Sequence, residues 1–183
     1  MMPKLIVCLT GMPGAGKTTI AESLKSKGFD KITMGDAVRA EAARKKIEPS
    51  GSNLGKLMIE LREKNGLGAV AELIVDQIKN SQSNVVLVDG VRSLAEVNVL
   101  KKVGMVKILA IHASGDIRYK FLTERNRSDA PTDREDFTNR DSREMGVGMS
   151  ESIALADETI SNNNMTIEEL VNAAYHVIKG WMN

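Results

Sequence analysis

The chain has a single cysteine, Cys8, in 183 residues, so it forms no internal disulfide and no multi-cysteine zinc site. Cys8 lies in the apolar run Leu5 to Leu9 and reads as a small core residue. Net charge is nearly absent as well: 25 basic residues stand against 24 acidic ones, a formal +1. No broad field of either sign argues for nonspecific binding to nucleic acid or to a membrane surface, so any charged site must be local. No apolar stretch reaches membrane-spanning length. The first residues, Met1 to Lys4, pass straight into an apolar strand that removal of a leader would destroy, and a cytoplasmic location is the expectation. Prolines number only four and hydrophobic residues make up 42%. That composition suits one sizeable core, and the length is short for two, so residues 1–183 are read as a single domain.

Against these absences stands one complete motif. Residues 11 to 18 read GMPGAGKT, a GxxxxGK[ST] phosphate-binding loop, directly after the apolar run. A buried strand ending in a glycine-rich turn aims successive backbone N–H groups at one point, and a helix starting near Lys17 adds its positive N-terminal end. Gly11, Met12, Pro13, Gly14, Ala15, Gly16, Lys17, Thr18 and Thr19 are therefore expected to hold a nucleotide's phosphates. Gly14 and Gly16 allow close backbone approach and Pro13 stiffens the turn. Lys17 reaches the β- and γ-phosphates, and the Thr18 hydroxyl ligates Mg2+ bridging the same groups. The expected ligands are ATP and Mg2+.

Short apolar runs at Lys4–Thr10, Lys31–Thr33, Asn84–Asp89, Lys107–His112 and Thr159–Ser161 read as strands. Helical spacing links Leu54, Leu57, Met58 and Leu61, and again Val70, Leu73, Ile74 and Ile78. The last helix opens on a capping box, Thr166 with Glu169, and carries Ile167, Leu170, Val171, Ala174, Ile178 and Trp181 on one face to cover the sheet. This alternation predicts an α/β, three-layer fold: a five-stranded parallel sheet with helices on both faces and ligands at the strands' carboxyl ends.

The other strand ends carry groups for a second anion. MGDAVR, Met34 to Arg39, follows the second strand, and VDGVR, Val88 to Arg92, the third. Arg39 and Arg92 each offer a planar fork suited to phosphate. Asp89 ends a wholly apolar strand beside the loop and is the second candidate metal contact. Between Arg118 and Glu144 the chain is rich in charges of both signs, mostly read as ion-paired helix surface. Arg125, Arg127 and Arg140 stand apart, because they flank SDAPTD, Ser128 to Asp133, a polar stretch suited to a mobile flap. Phosphoryl transfer needs positive charge around the migrating group and exclusion of water, which such a flap supplies on closing.

Together these residues resemble the nucleoside monophosphate kinase group, including adenylate kinase and, more distantly, dephospho-coenzyme A kinase. GMPGAGKT matches its GxPGxGK loop. Met34 to Arg39 resembles TGDxxR, Ser52 to Gly55 resembles SxLG, and Asp89 to Arg92 resembles DGxPR without its proline. ERNRSD (Glu124 to Asp129) and TNRD (Thr138 to Asp141) are similar to a shortened lid, and Ala156 to Asn163 to the late ADxxIxN element of dephospho-coenzyme A kinases. RxRxD, RDxRE and ALAD point further to an archaeal family of adenylate-kinase-related proteins. The resemblance implies a P-loop kinase with an acceptor-binding insert over about 34–80 and a short lid over about 125–142. Its acceptor would be a nucleoside monophosphate or a nucleotide-like small molecule, bound by Gly35, Asp36, Arg39, Gly90, Arg92 and Glu96. Lys17, Arg92, Arg125, Arg127 and Arg140 would carry catalysis. Three points stay open. Glu96 falls where adenylate kinases read the acceptor base, yet Ser93 and Glu96 equally form a capping box. Asp36 is the nearest general base should the acceptor be a hydroxyl, as in dephospho-coenzyme A. A nucleotide-dependent switch or ATPase with a protein partner would use the same loop.

Overall fold

The computed structural model describes residues 3–125 and 130–182. Among them β1 (Leu5–Thr10), β2 (Asp30–Thr33), β3 (Val85–Asp89), β4 (Met105–His112) and β5 (Glu158–Ser161) form one wholly parallel sheet, ordered β2-β3-β1-β4-β5. Every strand ends at the residue expected from sequence; starts differ by one residue, or by two at β4.

The central strands are apolar throughout because both faces are covered. From β1, Ile6 and Cys8 point to one face, where they meet Val86 and Val88 of β3 together with Val38, Leu57, Ile74, Val97 and Leu100. Leu5, Val7 and Leu9 point to the other, against Val85, Leu87, Ile20, Leu24, Leu170, Ala174 and Ile178. The period of two along each strand thus feeds two separate cores. Cys8 is fully buried, and desolvation pushes its thiol well above the ordinary range.

The first face is covered by α2 (Met34–Arg44), α3 (Gly51–Asn65), α4 (Ala69–Glu72), α5 (Val75–Asn80) and α6 (Leu94–Leu100). The second is covered mainly by α1 (Lys17–Ser23), which tightens into a 3-10 turn at Leu24–Lys27, and by α10 (Ile167–Trp181). Between β4 and β5 come α7 (Gly115–Glu124), α8 (Arg134–Val147) and α9 (Met149–Ala154). No helix among the described residues is long and apolar enough to cross a membrane.

Two helical expectations need correction. Val70, Leu73, Ile74 and Ile78 do not share one helix: at Leu73 and Ile74 the backbone bonds tighten to Val70 and Ala71, three residues back, and the chain restarts as α5. Val70, Ile74 and Ile78 still reach the same core, so the spacing survives the break. On α10, Ile167 is 68% exposed while Leu170, Ala174 and Ile178 are buried, so the covering face begins a turn later than the pattern suggested.

The capping box of α10 is formed: the Thr166 N–H donates to Glu169 Oε2 at 2.7 Å and the Glu169 N–H to Thr166 Oγ1 at 3.2 Å. Thr166→Ala leaves one of these donors to solvent, and a loss of about 1 kcal/mol is expected, read as a lower urea midpoint with an unchanged slope.

The topology opens a crevice at one place. β1 and β3 are neighbours, with Leu9 opposite Asp89, but α1 leaves β1 to one face and α6 leaves β3 to the other. The carboxyl ends of these two strands therefore stand uncovered, as ligand-binding crevices of open α/β sheets do.

Candidate active site

A cavity of about 590 Å³ occupies that crevice. Its floor is the loop between β1 and α1. Gly11, Gly14 and Gly16 all have positive φ, which turns the chain sharply enough for Lys17 to open α1 beneath the loop. Gly11, Pro13, Gly14, Gly16, Lys17, Thr18 and Thr19 line the cavity. Met12 and Ala15 serve behind it: the Ala15 N–H donates to the Met12 carbonyl at 3.2 Å, and the Ala15 methyl is fully buried.

Lys17 Nζ is folded back onto its own loop, donating to the Gly11 and Met12 carbonyls. Desolvation lowers its pKa from 10.5 to about 8, against the opposing pull of Asp89. Thr18 Oγ1 donates to Asp89 Oδ2 at 2.9 Å. The hydroxyl opening α1 and the carboxylate ending β3 are thus side by side, one from each strand flanking the crevice. This pair of hard oxygen donors fits a Mg2+ ion whose remaining ligands are phosphate and water.

The residues proposed for a second anion line the same cavity. Gly35 and Arg39 come from the start of α2, and Gly90 and Arg92 from the turn after β3. Arg39 is ion-paired with Asp36 at 2.5 Å, and Asp36 lies outside the cavity lining with its side chain 68% exposed. Arg92 donates from Nη1 to the Gly90 carbonyl at 3.0 Å and from Nε to Glu144 Oε2 at 2.8 Å.

Glu96 corrects the sequence reading that gave it to the acceptor. It is fully buried at the start of α6, accepts from the Arg92 N–H at 2.7 Å and the Ser93 N–H at 3.3 Å, and completes the capping box with Ser93. Arg62 of α3 donates to its other oxygen at 3.4 Å. Burial pushes the Glu96 carboxyl up, opposed by the Arg92 N–H and by Arg62. A side chain so used has no oxygen turned to the cavity, and its role is to fix the backbone of Arg92.

Arg125, closing α7, and Arg140, on α8, both line the cavity. Arg127, with Ser128 and Asp129 of the expected flap, lies outside the described residues. From Arg134 onward the stretch read as lid is regular helix, capped by Asp133, which accepts from the Asp136 N–H at 2.8 Å.

Three supports escaped the sequence reading. Arg118 forms a two-pronged ion pair with Asp141 at 2.9 and 2.6 Å and also donates to the Pro13 carbonyl at 3.2 Å, tying the phosphate loop to α7 and α8. It had been grouped with surface ion pairs, but its side chain is only 8% exposed. Asn162 donates from Nδ2 to the Ala15 carbonyl at 2.9 Å, holding the loop from β5. Glu144 enters the cavity wall beside Arg92. The apolar part of the lining comes from Phe121 and Leu122 of α7 and from Met165, Ile167 and Leu170 at the start of α10, with Leu122 and Leu170 beside Gly14 and Gly16 of the loop. The exposure of Ile167 is accounted for by its place in that wall.

Residues 10–138 match the family model described as AAA domain. The chain is 43% identical over 166 residues to a UPF0200 protein of Hyperthermus butylicus, spanning 91% of this chain and 89% of that one. It is 41% identical over 165 residues to a UPF0200 protein of Pyrococcus abyssi, spanning 87% and 88%. Among solved structures it is similar to TT1252 from Thermus thermophilus, with TM-score 0.67 and 17% identity across 96% of this chain and 98% of that one. It is also similar to shikimate kinase from Acinetobacter baumannii in complex with shikimate, with TM-score 0.61 and 13% identity across 98% and 94%. At these identities the structural likeness speaks to the fold, which is that of the P-loop kinases.

Proposed function

The chain belongs to the UPF0200 proteins of the AAA-domain family, and from that premise we propose that it is a kinase moving the γ-phosphoryl group of ATP to a nucleoside monophosphate. The observation that carries the proposal is the pairing of two anion seats in one cavity: the phosphate loop on one side, Arg39 and Arg92 on the other. Hydrolysis needs only the first seat, whereas transfer between two phosphorylated molecules needs both.

In this reading the loop N–H groups and Lys17 hold the donor's β- and γ-phosphates. Phe121, Leu122, Met165, Ile167 and Leu170 receive its base. Thr18 and Asp89 would hold Mg2+, which would supply charge neutralisation to the phosphates. Gly35 and Arg39, carried on an insert over about 34–80 that comprises α2 to α5, receive the acceptor together with Gly90 and Arg92 from the turn after β3. Arg125, Arg127 and Arg140, on a lid over about 125–142, spread positive charge around the migrating group and exclude water on closing. A phosphate acceptor is already ionised near neutral pH, so positioning and electrostatics carry the rate and no general base is required.

A hydroxyl acceptor of the dephospho-coenzyme A kind is the second reading, favoured by the Asp36 carboxylate ion-paired with Arg39 of the cavity wall. Asp36→Asn separates the two: loss of transfer to a hydroxyl with monophosphate transfer retained supports a base at Asp36, and unchanged transfer throughout removes it.

The deciding experiment is a thermal-shift screen of nucleoside monophosphates and dephospho-coenzyme A on protein saturated with Mg2+ and a nonhydrolysable ATP analogue, followed by product analysis with ATP. An acceptor at a hundred times its Kd is expected to add roughly 5–10 °C. Stabilisation by none of them sinks the kinase reading and favours a nucleotide-dependent switch, whose mark is slow hydrolysis stimulated by a protein partner.

A further inference from the structure

Arg92 already has an anion. Glu144, one turn before the end of α8, places Oε2 2.8 Å from Arg92 Nε, and both side chains belong to the cavity wall, 16% and 25% exposed. The contact joins residues 52 apart in sequence and is one of several between α8 and the rest of the fold. α8 is held elsewhere by the buried ring of Phe137 and the Asp141–Arg118 pair, and its end abuts the Arg92–Ser93 backbone, where a Cβ built at Gly148 would sit 3.2 Å from Ser93 Cβ. The Gly90 carbonyl occupies Nη1 of the same guanidinium. An ion pair of this kind presents little net charge to an approaching ligand, and a second anion meets the Glu144 carboxylate before it gains the arginine.

We infer that Glu144 is a placeholder for the acceptor's anionic group, a specificity-determining residue whose carboxylate must leave Arg92 before an acceptor can be held there. The inference rests on the reading of Arg92 as an acceptor residue. Because the end of α8 abuts the Arg92–Ser93 backbone at Gly148, the exchange is a rotation of the Glu144 side chain and needs no movement of that end of the helix. It also sets the chemical class of ligand. An acceptor bearing a single carboxylate exchanges like for like and gains nothing, whereas a phosphate brings more charge and more acceptor oxygens to the same fork. The seat is thereby reserved for phosphorylated molecules, and Arg92 is kept neutralised while the seat is empty.

The test is calorimetric titration of inorganic phosphate and of acetate into protein saturated with Mg2+ and a nonhydrolysable ATP analogue, which blocks the phosphate loop. Glu144→Gln keeps the shape and removes the charge; phosphate is expected to bind about tenfold more tightly than to wild type, and acetate, which wild type is expected not to bind, to become measurable. Glu144→Ala moves both affinities the same way should glutamine disturb the packing. Unchanged or weaker phosphate binding in both variants, or acetate still ignored, overturns the inference. Arg92→Gln is expected to abolish phosphate binding. If it does so while the Glu144 variants gain nothing, the placeholder role fails alone; if it leaves wild-type affinity intact, the assignment of Arg92 to the acceptor fails with it.

Discussion

Lys17→Met is expected to lower phosphoryl transfer by about a hundred- to a thousandfold without weakening the fold. The ammonium is the one side-chain cation inside the turn of the phosphate loop, and in its resting position it spends its donors on the Gly11 and Met12 carbonyls. Those bonds stay within the loop, and a triphosphate offers stronger, charged acceptors in their place. Burial has already lowered the amine to about 8, so holding it protonated at neutral pH costs the nucleotide-free protein stability that methionine, of similar length and uncharged, does not require. The sign follows from linkage: the unfolded chain binds the proton more tightly, so wild-type stability rises relative to the variant between about pH 8 and its ordinary 10.5. Initial rates with the acceptor identified by thermal shift, measured beside urea melts at neutral pH, check both halves. A variant that keeps more than a tenth of the wild-type rate would remove Lys17 from the transfer step.

The largest stability effect is expected at Gly11. Its φ of +142° is open to few side chains, and a Cβ there would lie 2.2 Å from the Ile111 carbonyl oxygen and 3.2 Å from the Ile111 carbonyl carbon. Ile111 sits in β4, paired with β5 and buried on the sheet, so the obstruction is backbone that cannot turn aside. Gly11→Ala therefore combines a strained backbone with overpacking, about 1–3 kcal/mol from each, and most of the protein is expected to lose cooperative unfolding or to appear insoluble. Gly28→Ala is the matched control. It too has positive φ, +81°, but nothing lies within 4 Å of the added carbon, so strain alone applies and a cost of about 1 kcal/mol is expected. Equal losses at the two positions, from urea denaturation, would show that the close approach of the loop to β4 is not rigid.

What could be read from the chain, and what could not, divides by the range of the interaction. β1, β3 and β4 were legible because each is a mainly apolar run with its boundary in the sequence itself, and the loop because all its chemistry lies within nine consecutive residues, Gly11 to Thr19. The Thr166 and Glu169 cap is local for the same reason. Glu96 was ambiguous because a capping box and a base-reading position share one sequence pattern; only its full burial separates them. The break at Leu73 leaves the apolar spacing intact, so no pattern announces it. Arg118 with Asp141, Arg92 with Glu144 and Asn162 with Ala15 could not be found at all. Each joins elements brought together only by the sheet's topology, and in a stretch dense with both charges every arginine has several candidate acids.

The run of α10 from the cavity wall to the far end of the sheet separates two optical signals. The chain's single tryptophan, Trp181, is the last residue of that helix, about 21 Å along its axis from Ile167. It packs on the second core, with Lys107 Nζ 5.9 Å from its ring centre. Its emission is therefore expected to report the packing of α10 on the sheet rather than contacts made at Ile167 in the cavity wall. Tryptophan fluorescence is expected to follow unfolding in this protein, while ligand occupancy needs a label of its own at the opposite end of the same helix.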